Sequence, residues 1–458
     1  MPVNSFENYP MSWKPTLDRR SRSLYKTLAE QLENDIESGL LKPGTKLPPQ
    51  RELADFLDVN VSTISKAFHL CELKGLLSAT VGSGTFVSYD VLTNGRLLPS
   101  DTESSVIDMG ATIPEPSGNV FLTKMLREIV AEEQVSDLFG YPILRTVEWQ
   151  KDAVVKLLAR CGYTTSWDWI LSANGGQNAL SAVLAALFHR GDKIAVDAHT
   201  YPGIKSAAAM FGIQLVPVPG DNFGMSTEAL EFVCKNEKIS GVYLIPACHN
   251  PTTITMPPKR RKEIAEIIKK FQCILIEDGT YQLMHSGMQA VSETIKDQSI
   301  YIITLSKVIA PGLRIAYLSV PPKYKNAVSD ALYSLNVSIV PLMAELSARV
   351  VASGRIESII DEHKANTKKR NKIVTRLLGQ KNCLGKDTDI FRWLLLPEHY
   401  TGIFFEQLAY SKGVRVYSAE KFAVGKTPPA HAVRLSICAP ANLEELEKGI
   451  EILYGLIS

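Results

Sequence analysis

From Val106 to the C-terminus, short apolar runs of β type alternate with segments whose apolar residues have helical spacing. This alternation predicts an α/β domain on a mainly parallel sheet, because each parallel strand needs a crossover to reach the next one. The pattern does not extend to the N-terminal part, and 458 residues are too many for one ordinary domain. We therefore expect a second, smaller unit ahead of the α/β domain.

The N-terminal part divides into two regions by composition. Residues 21–88 are predicted to form short helices followed by a hairpin. Residues 89–105 are polar and lack apolar periodicity, which predicts a linker. The large domain then covers residues 106–458.

Charge and cysteine usage narrow the class of protein. The net charge of +2 predicts neither a nucleic-acid nor a membrane partner from bulk electrostatics. The seven cysteines form no CxxC pair and the eight histidines form no HExxH motif, so we expect no disulfide framework and no metal site. The sequence shows no signal peptide and no apolar run long enough to span a bilayer, so we expect a cytoplasmic protein without a membrane partner.

The first region has the pattern of a winged helix-turn-helix. Leu24, Leu28, Leu32 and Ile36 form one apolar stripe on a first helix. A second helix begins near two adjacent prolines, and a third follows Asn60, a residue suited to capping a helix. Two short β runs around a Gly-Ser-Gly turn predict the hairpin of the wing.

A third helix of this kind enters a major groove with its N-terminal residues at the base edges. We therefore predict that Ser62, Thr63 and Lys66 face the bases of double-stranded DNA. Arg51 at the start of the second helix and Thr85 in the wing are predicted to contact phosphates.

The segment LYKTLAEQLENDIESGLLKPGTKLPPQRELADFLDVNVSTISKAFHLCELKGLLSATVGSGTFVS resembles the GntR-type winged-helix module from end to end. Pro49 stands where the family often has a capping serine, and Val61 where it often has an arginine, which suggests a different operator. The alternative is a protein-interaction module, because Met1–Ser88 holds ten basic and ten acidic residues, whereas DNA-binding domains are usually basic.

Polar side chains follow several predicted strands of the large domain. An Asn-Gly-Gly-Gln turn containing Gly176 and Gln177 precedes a helix, an arrangement that can bind a phosphate through backbone N–H groups. Asn250 follows another β run, where α/β folds place ligands. Taken alone, both signals are more typical of ordinary turns than of a ligand site.

Two further strand ends carry charged groups. Asp278 follows a buried run and precedes Tyr281, and a carboxylate there is poorly placed for a core. Lys307 follows the apolar run Ile300–Ile303, and a lysine at the end of a buried strand is costly unless it is paired or covalently used. As solvated loops, both segments would carry no function.

The order of these strand-end signals resembles that of fold-type I aminotransferases across the large domain. The resemblance implies a smaller C-terminal α+β subdomain and the cofactor pyridoxal 5'-phosphate. Lys307 would form the Schiff base, and Asp278 would keep the pyridinium nitrogen protonated so that the ring acts as an electron sink. Asn250 and Tyr281 would bind the phenolic oxygen, and Tyr201 would stack on the ring.

The resemblance also implies phosphate and carboxylate contacts. Arg434 would grip the α-carboxylate of an amino acid, a bidentate task suited to a guanidinium, and the alternative for it is a surface ion pair. Tyr141 would reach the phosphate of the neighbouring subunit, although the family's following segment is not kept in YPILRTVEWQK, and Thr253 replaces a usual glycine. The implied phosphate contacts in the same chain are Gly176, Gln177, Thr304, Ser306 and Arg314.

The combination of both units resembles the MocR family of bacterial regulators. It implies a head-to-tail homodimer in which the large domain of one chain lies near the DNA-binding module of the other. Three functions stay open: a regulator that senses an amino acid or amine through the cofactor, a regulator that senses pyridoxal phosphate itself, and a working aminotransferase whose helical module is an anchor.

Overall fold

The computed structural model describes residues 11–17, 23–80, 84–92, 106–115, 118–141, 148–285, 287–379 and 381–458. Within them, the N-terminal module has the helix order and the hairpin of a winged helix-turn-helix. Its elements are α1 (Leu24–Glu37), α2 (Gln50–Leu57), α3 (Val61–Leu73), β1 (Leu77–Thr80) and β2 (Gly84–Val87). The two strands pair antiparallel, with Leu77 opposite Val87.

The predicted apolar stripe of α1 forms one side of the module's core. Leu28, Leu32 and Ile36 are buried against α2, α3 and the hairpin. The cap of α3 is also as predicted, because the Asn60 side chain accepts a hydrogen bond from the Ser62 backbone N–H at 2.9 Å. This bond satisfies a donor at the start of α3 and so fixes where the helix begins.

Two flanking segments pack against the folded units. Ahead of α1, Trp13 is buried and its indole N–H donates to the Asp35 carboxylate at 2.7 Å. After β2, Tyr89–Leu92 forms a short 3-10 turn in what the sequence predicts to be linker. The rest of that predicted linker, residues 93–105, lies outside the described residues.

A seven-stranded sheet forms the centre of the large domain. The strands of this domain are β3 (Ile107–Asp108), β4 (Ile170–Ala173), β5 (Lys193–Asp197), β6 (Gln214–Val218), β7 (Gly220–Asp221), β8 (Gly224–Met225), β9 (Ile239–Leu244), β10 (Ile274–Asp278), β11 (Ser299–Thr304), β12 (Ala316–Ser319), β13 (Cys383–Leu384), β14 (Phe391–Leu395), β15 (Val414–Arg415), β16 (Tyr417–Ser418) and β17 (Ala432–Ser436). The sheet order is β4-β12-β11-β10-β9-β5-β6, and only β12 runs antiparallel to its neighbours among these strands.

Helices cover both faces of this sheet. The helices of the large domain are α4 (Gly118–Val130), α5 (Glu148–Arg160), α6 (Gly176–Leu187), α7 (Pro202–Phe211), α8 (Thr227–Asn236), α9 (Pro258–Lys270), α10 (Pro322–Asn336), α11 (Pro341–Ala352), α12 (Ile356–Leu378), α13 (Gly402–Ser411) and α14 (Leu443–Ile457). Ile276 packs in the cluster that contains α6 and α7, whereas its neighbour Leu275 packs in the cluster that contains α8 and α9. Successive strand residues thus face opposite layers, as the near-continuous apolar runs require.

The C-terminal part forms a smaller α+β subdomain. Strands β13, β14, β17 and β16 make an antiparallel sheet, and α12, α13 and α14 pack around it. The short β3 pairs parallel with β15 and ties the start of the large domain to this subdomain. The predicted α/β fold with a smaller α+β subdomain is confirmed. Within the described ranges, no helix is both long and apolar enough to cross a membrane.

Candidate cofactor site and nucleic-acid interface

A cavity of about 120 Å³ lies at the carboxyl edge of the central sheet. The residues that line it lie in the segments after β3, at and after the ends of β9, β10 and β11, just before β12, in α6 and at the start of α7. They are Thr112, Gly176, Gln177, Leu180, Tyr201, Ile245, Asn250, Asp278, Thr280, Tyr281, Thr304, Ser306, Lys307 and Arg314. All of the sequence-predicted cofactor residues except Tyr141 therefore meet in one cavity.

Lys307 lies just beyond β11, and its amine donates to the Thr112 carbonyl at 2.6 Å. Burial, together with the positive charges of Arg434 and Arg314, lowers the pKa of Lys307 to about 8, while Asp278 opposes the shift. A lysine with such a pKa is neutral in about a tenth of molecules at pH 7, far more than an ordinary lysine, and a neutral amine is a nucleophile.

Asp278 is held at the end of β10 by three donors. Its Oδ1 accepts the Thr280 backbone N–H at 3.0 Å as well as the Thr280 hydroxyl, and its Oδ2 accepts the Tyr243 hydroxyl at 2.9 Å. Burial raises the pKa of Asp278, while these hydrogen bonds and Lys307 lower it. The carboxylate is thus oriented before any ligand is present.

The sequence predictions missed the partners of Asp278. Tyr243 lies in β9 opposite Ile276 of β10, so it projects from the same face of the sheet as Asp278, two residues further along. A tyrosine in an otherwise apolar run was the available signal, because a buried hydroxyl needs a hydrogen-bond partner.

The opposite end of the cavity has the features of an anion site. Arg314 donates to the Asn174 carbonyl at 3.3 Å, and Thr304 Oγ1 lies 3.0 Å from Ser306 Oγ. Gly175 has φ of +87°, and a Cβ there would lie 2.4 Å from Arg314 Nη2. The guanidinium can approach the first turn of α6 only because this residue is glycine.

Gln177 and Tyr201 both line the cavity, and their side chains are hydrogen-bonded to each other. The Tyr201 hydroxyl donates to Gln177 Oε1 at 3.3 Å, and Gln177 Nε2 donates to the Gly203 carbonyl at 2.9 Å. A Cβ at Gly203 would lie 2.2 Å from both Gln177 Oε1 and the Tyr201 ring. The side chain of Gln177 therefore positions the tyrosine at the start of α7.

Arg434 in β17 is completely buried behind the cavity. It donates to Asn250 Oδ1 and to the Gly110 carbonyl, each at 2.7 Å, and its guanidinium lies 4.9 Å from the centre of the Phe422 ring. Its Nε has no hydrogen-bond partner, and no ion pair joins it to a carboxylate, among the described residues. The alternative of a surface ion pair is wrong, because the strand faces the interior.

One buried cluster could not be found from motif spacing. Cys248, His285 and Asp389 each offer one ligand atom, and these atoms lie within 4.8 Å of one another. His285 Nε2 already lies 3.2 Å from Asp389 Oδ1. The histidine–carboxylate contact and the burial of the thiol account for this cluster without a metal ion.

Tyr141 is not part of the cavity. Tyr141 is 81% exposed. An exposed tyrosine is compatible with a contact to a second subunit, and that contact stays a prediction.

The predicted DNA-contacting residues differ in exposure. Ser62, Lys66 and Arg51 are exposed, and Thr63 is half-buried on the first turn of α3. Thr85 is only 9% exposed, because it lies in β2 on the side that packs inward. The structure therefore does not present this side chain to a phosphate, and the turn of the wing lies outside the described residues.

A winged helix-turn-helix joined to an aminotransferase-like domain defines the class of this chain. Residues 24–87 match the family described as bacterial regulatory proteins, gntR family, and residues 108–453 match aminotransferase class I and II. The chain belongs to the aminotransferase class I and II family, and its added GntR module makes it a MocR-type transcription regulator.

Relatives and solved structures agree with this assignment. The chain is 53% identical to YdeF, an uncharacterized HTH-type transcriptional regulator of Bacillus subtilis (strain 168), over 100% of this chain and 99% of YdeF. It is 26% identical to MocR, a probable rhizopine catabolism regulatory protein of Rhizobium meliloti, over 67% of this chain and 68% of MocR. An archaeal alanine:glyoxylate aminotransferase has the same fold, with a TM-score of 0.74 and 22% identity over 85% of this chain and 98% of that one.

Proposed function

We propose that this regulator binds pyridoxal 5'-phosphate covalently on Lys307 and that the state of this site changes its affinity for an operator DNA. The effector is an amino acid or amine that exchanges onto the cofactor, or the cofactor itself. The observation that carries the proposal is one cavity in which Lys307, Asp278 and an anion site formed by α6 and Arg314 face one another.

The residues present fit the cofactor at each end. When bound, pyridoxal phosphate supplies an aldehyde for an amine and a ring that withdraws electrons. Lys307 offers the amine, and Asp278, preoriented by Thr280 and Tyr243, offers a carboxylate to the ring nitrogen. Backbone N–H groups at the start of α6 and the nearby guanidinium offer donors to a phosphate.

The buried arginine argues for a ligand that carries a carboxylate. Arg434 is a charged group with neutral partners and a free Nε among the described residues. A buried cation without a counter-ion is unfavourable, and a carboxylate would relieve this by a charge-assisted pair. This favours an amino acid over a simple amine as effector.

The DNA-binding part of the proposal depends on the exposed start of α3. Ser62 and Lys66 can reach base edges there, and Arg51 can reach a phosphate. The hydroxyl of Ser65 donates to the Gln50 side chain at 2.6 Å, which fixes α3 relative to α2. We further propose a homodimer in which Tyr141 contacts the partner's site.

The visible absorbance of the purified protein tests this proposal during titration with pyridoxal phosphate. We expect a coloured complex, and borohydride reduction should fix a phosphopyridoxyl mass on the peptide that contains Lys307. A panel of amino acids and amines is then added. A lasting spectral shift with one compound supports a sensor, and an absent coloured complex contradicts the proposal.

A working aminotransferase is the second candidate. Lys307, Asp278 and Arg434 supply the groups that a transamination half-reaction requires. The same spectra separate it from a sensor, since loss of colour that a keto acid restores in repeated cycles indicates turnover.

A further inference from the structure

The DNA-binding module is attached to the large domain directly after the wing. The Tyr89 backbone N–H donates to the Gly425 carbonyl at 2.7 Å, and the Gly425 N–H donates to Asp90 Oδ2 at 3.1 Å. A Cβ at Gly425 would lie 2.9 Å from the Ser78 hydroxyl of β1. Ser78 of the wing, and Tyr89 and Asp90 just after the wing, thus lie close to the loop that contains Gly425.

A buried ion pair lies at the centre of this contact. Lys205 Nζ is 3.3 Å from Asp90 Oδ1, and the lysine side chain is completely buried. It also donates to the carbonyls of Lys421 and Ala423. Among the described residues, Asp90 is the carboxylate that pairs with this lysine, and it lies in the 3-10 turn that directly follows the wing.

The elements that hold Lys205 begin at the cofactor cavity. Lys205 lies in the first turns of α7, four residues after Tyr201, so both project from one side of the helix start. The segment that supplies its carbonyl acceptors contains Phe422, whose ring lies 4.9 Å from the Arg434 guanidinium. The Phe422 carbonyl also accepts the Thr200 N–H at 2.8 Å. Tyr201 and Arg434 are thus each connected to Lys205 through a few neighbouring residues, the first along the start of α7 and the second through the segment around Phe422.

We propose that the Asp90–Lys205 pair is the contact through which the state of the cofactor site controls the position of the DNA-binding module. This inference rests on the proposed function, because it needs a cofactor at Lys307 and an operator. It assigns the transmission step to two named side chains that contact neither ligand.

The surroundings of the pair leave open space beside it. A cavity of about 430 Å³ borders it, with Leu77, Ser78 and Asp90 on the module side and Lys205 and Val216 among the residues of the large domain. The cavity leaves room for the module to shift relative to α7. Removing one member of a buried pair leaves the other charge uncompensated, so the docked state depends strongly on both.

Two variants test the proposal, Asp90→Asn and Lys205→Met. Glu237→Gln is the matched control, because Glu237 pairs with Lys193 at the same cavity and both belong to the large domain. The DNA is a duplex that the wild-type protein selects from a random pool, and the ligand is pyridoxal phosphate. The readout is the ratio of DNA affinities with and without the ligand, measured together with visible absorbance.

If the wild-type ratio is at least about fivefold, in the usual range of allosteric coupling, both variants should reduce it below about twofold while they keep the coloured complex. Glu237→Gln should keep the wild-type ratio. A wild-type ratio retained in both coupling variants would overturn the inference. A wild-type protein that stays colourless, or whose DNA affinity responds neither to pyridoxal phosphate nor to the further addition of the amino acids and amines of the panel, would instead contradict the proposed function.

A reversible crosslink gives an independent test that does not remove a buried charge. Ser78 Cβ would lie 3.5 Å from a Cβ at Gly425, which is within the range of a disulfide. Oxidised Ser78→Cys/Gly425→Cys protein should bind DNA with one affinity whether or not pyridoxal phosphate is present, and reduction should restore the ratio. Each single variant controls for the native cysteines. A crosslinked protein that keeps its ligand response would refute the proposed route.

Discussion

Arg434 donates to Asn250 Oδ1 at 2.7 Å, so the residue proposed to bind an effector's carboxylate is bonded to the residue proposed to bind the cofactor's phenolic oxygen. The two residues are 184 positions apart in sequence and come from different subdomains. A ligand that draws Arg434 away would release the Asn250 amide. If both proposed roles hold, this one hydrogen bond links the effector to the cofactor.

This linkage makes Arg434→Lys a specific probe of the effector. A lysine cannot make the bidentate pair, and loss of a charge-assisted hydrogen bond of about 1.5–3 kcal/mol weakens binding about 10- to 150-fold. We expect that loss for amino acids in the absorbance titration and little change for amines without a carboxylate. Arg415→Lys, an equivalent change at an arginine 3.8 Å from Asp108, is the control. Equal losses for both ligand types would contradict the carboxylate role.

The low pKa of Lys307 predicts how cofactor binding depends on pH. Because only the neutral amine attacks an aldehyde, the association rate should rise with pH and level off above the pKa of about 8. Stopped-flow absorbance from about pH 6 to 10 measures this, since an unshifted lysine would titrate near 10.4. A rate that keeps rising beyond pH 9 would disagree with the burial of this amine.

The same shift affects stability without the cofactor. The folded state binds fewer protons than the unfolded state between the folded pKa of about 8 and the usual value of 10.5. Lys307 should therefore destabilise the protein fully below pH 8, and this effect should be relieved as the pH rises through that window. In the Lys307→Met protein, the part of the rise in the free energy of unfolding between about pH 8 and 10.5 that comes from Lys307 should be absent.

Gly175→Ala should weaken the anion site. Its φ of +87° and ψ of 169° suit glycine almost alone, and the added Cβ would displace Arg314. Backbone strain of about 1–3 kcal/mol corresponds to a loss of about 5- to 150-fold if it falls on the bound state. Gly312→Ala, in the same part of the site and with open space around its Cβ, is the control. Unchanged affinity for pyridoxal phosphate in Gly175→Ala would argue against a phosphate site at α6.

The start of α3 should determine DNA affinity. Lys66→Ala is expected to lower affinity by about 1–3 kcal/mol if it contacts a base, whereas Arg51→Ala should reduce the salt dependence by about one phosphate contact. Lys74→Ala is the control, because Lys74 pairs with Glu33 at the far end of α3. Fluorescence anisotropy at several salt concentrations measures the DNA affinity and its salt dependence. A loss of affinity in Lys74→Ala as large as in Lys66→Ala would contradict the prediction that the start of α3 faces the DNA.

The sequence was sufficient to predict the fold and which residues would meet in one cavity, while their role in cofactor binding stays a prediction. Parallel strands end at one edge of a sheet, so polar residues after separate β runs could be expected to converge, as Asn250, Asp278 and Lys307 do. Contacts between subdomains could not be predicted, because Gly110 and Arg434 meet only through the packing of β3 beside β15. The burial of Thr85 in β2 could not be predicted either, because it depends on which face of the hairpin packs inward.

The most direct test of the account compares wild-type and Lys307→Ala protein for DNA affinity with and without pyridoxal phosphate. We expect both proteins to bind DNA equally without the ligand. Lys307 is far from α3 in sequence, and it is not part of the hydrophobic core of the DNA-binding module. The wild-type affinity should change when the ligand is added, and the affinity of Lys307→Ala should not. A ligand-dependent change of equal size in Lys307→Ala would contradict the central claim.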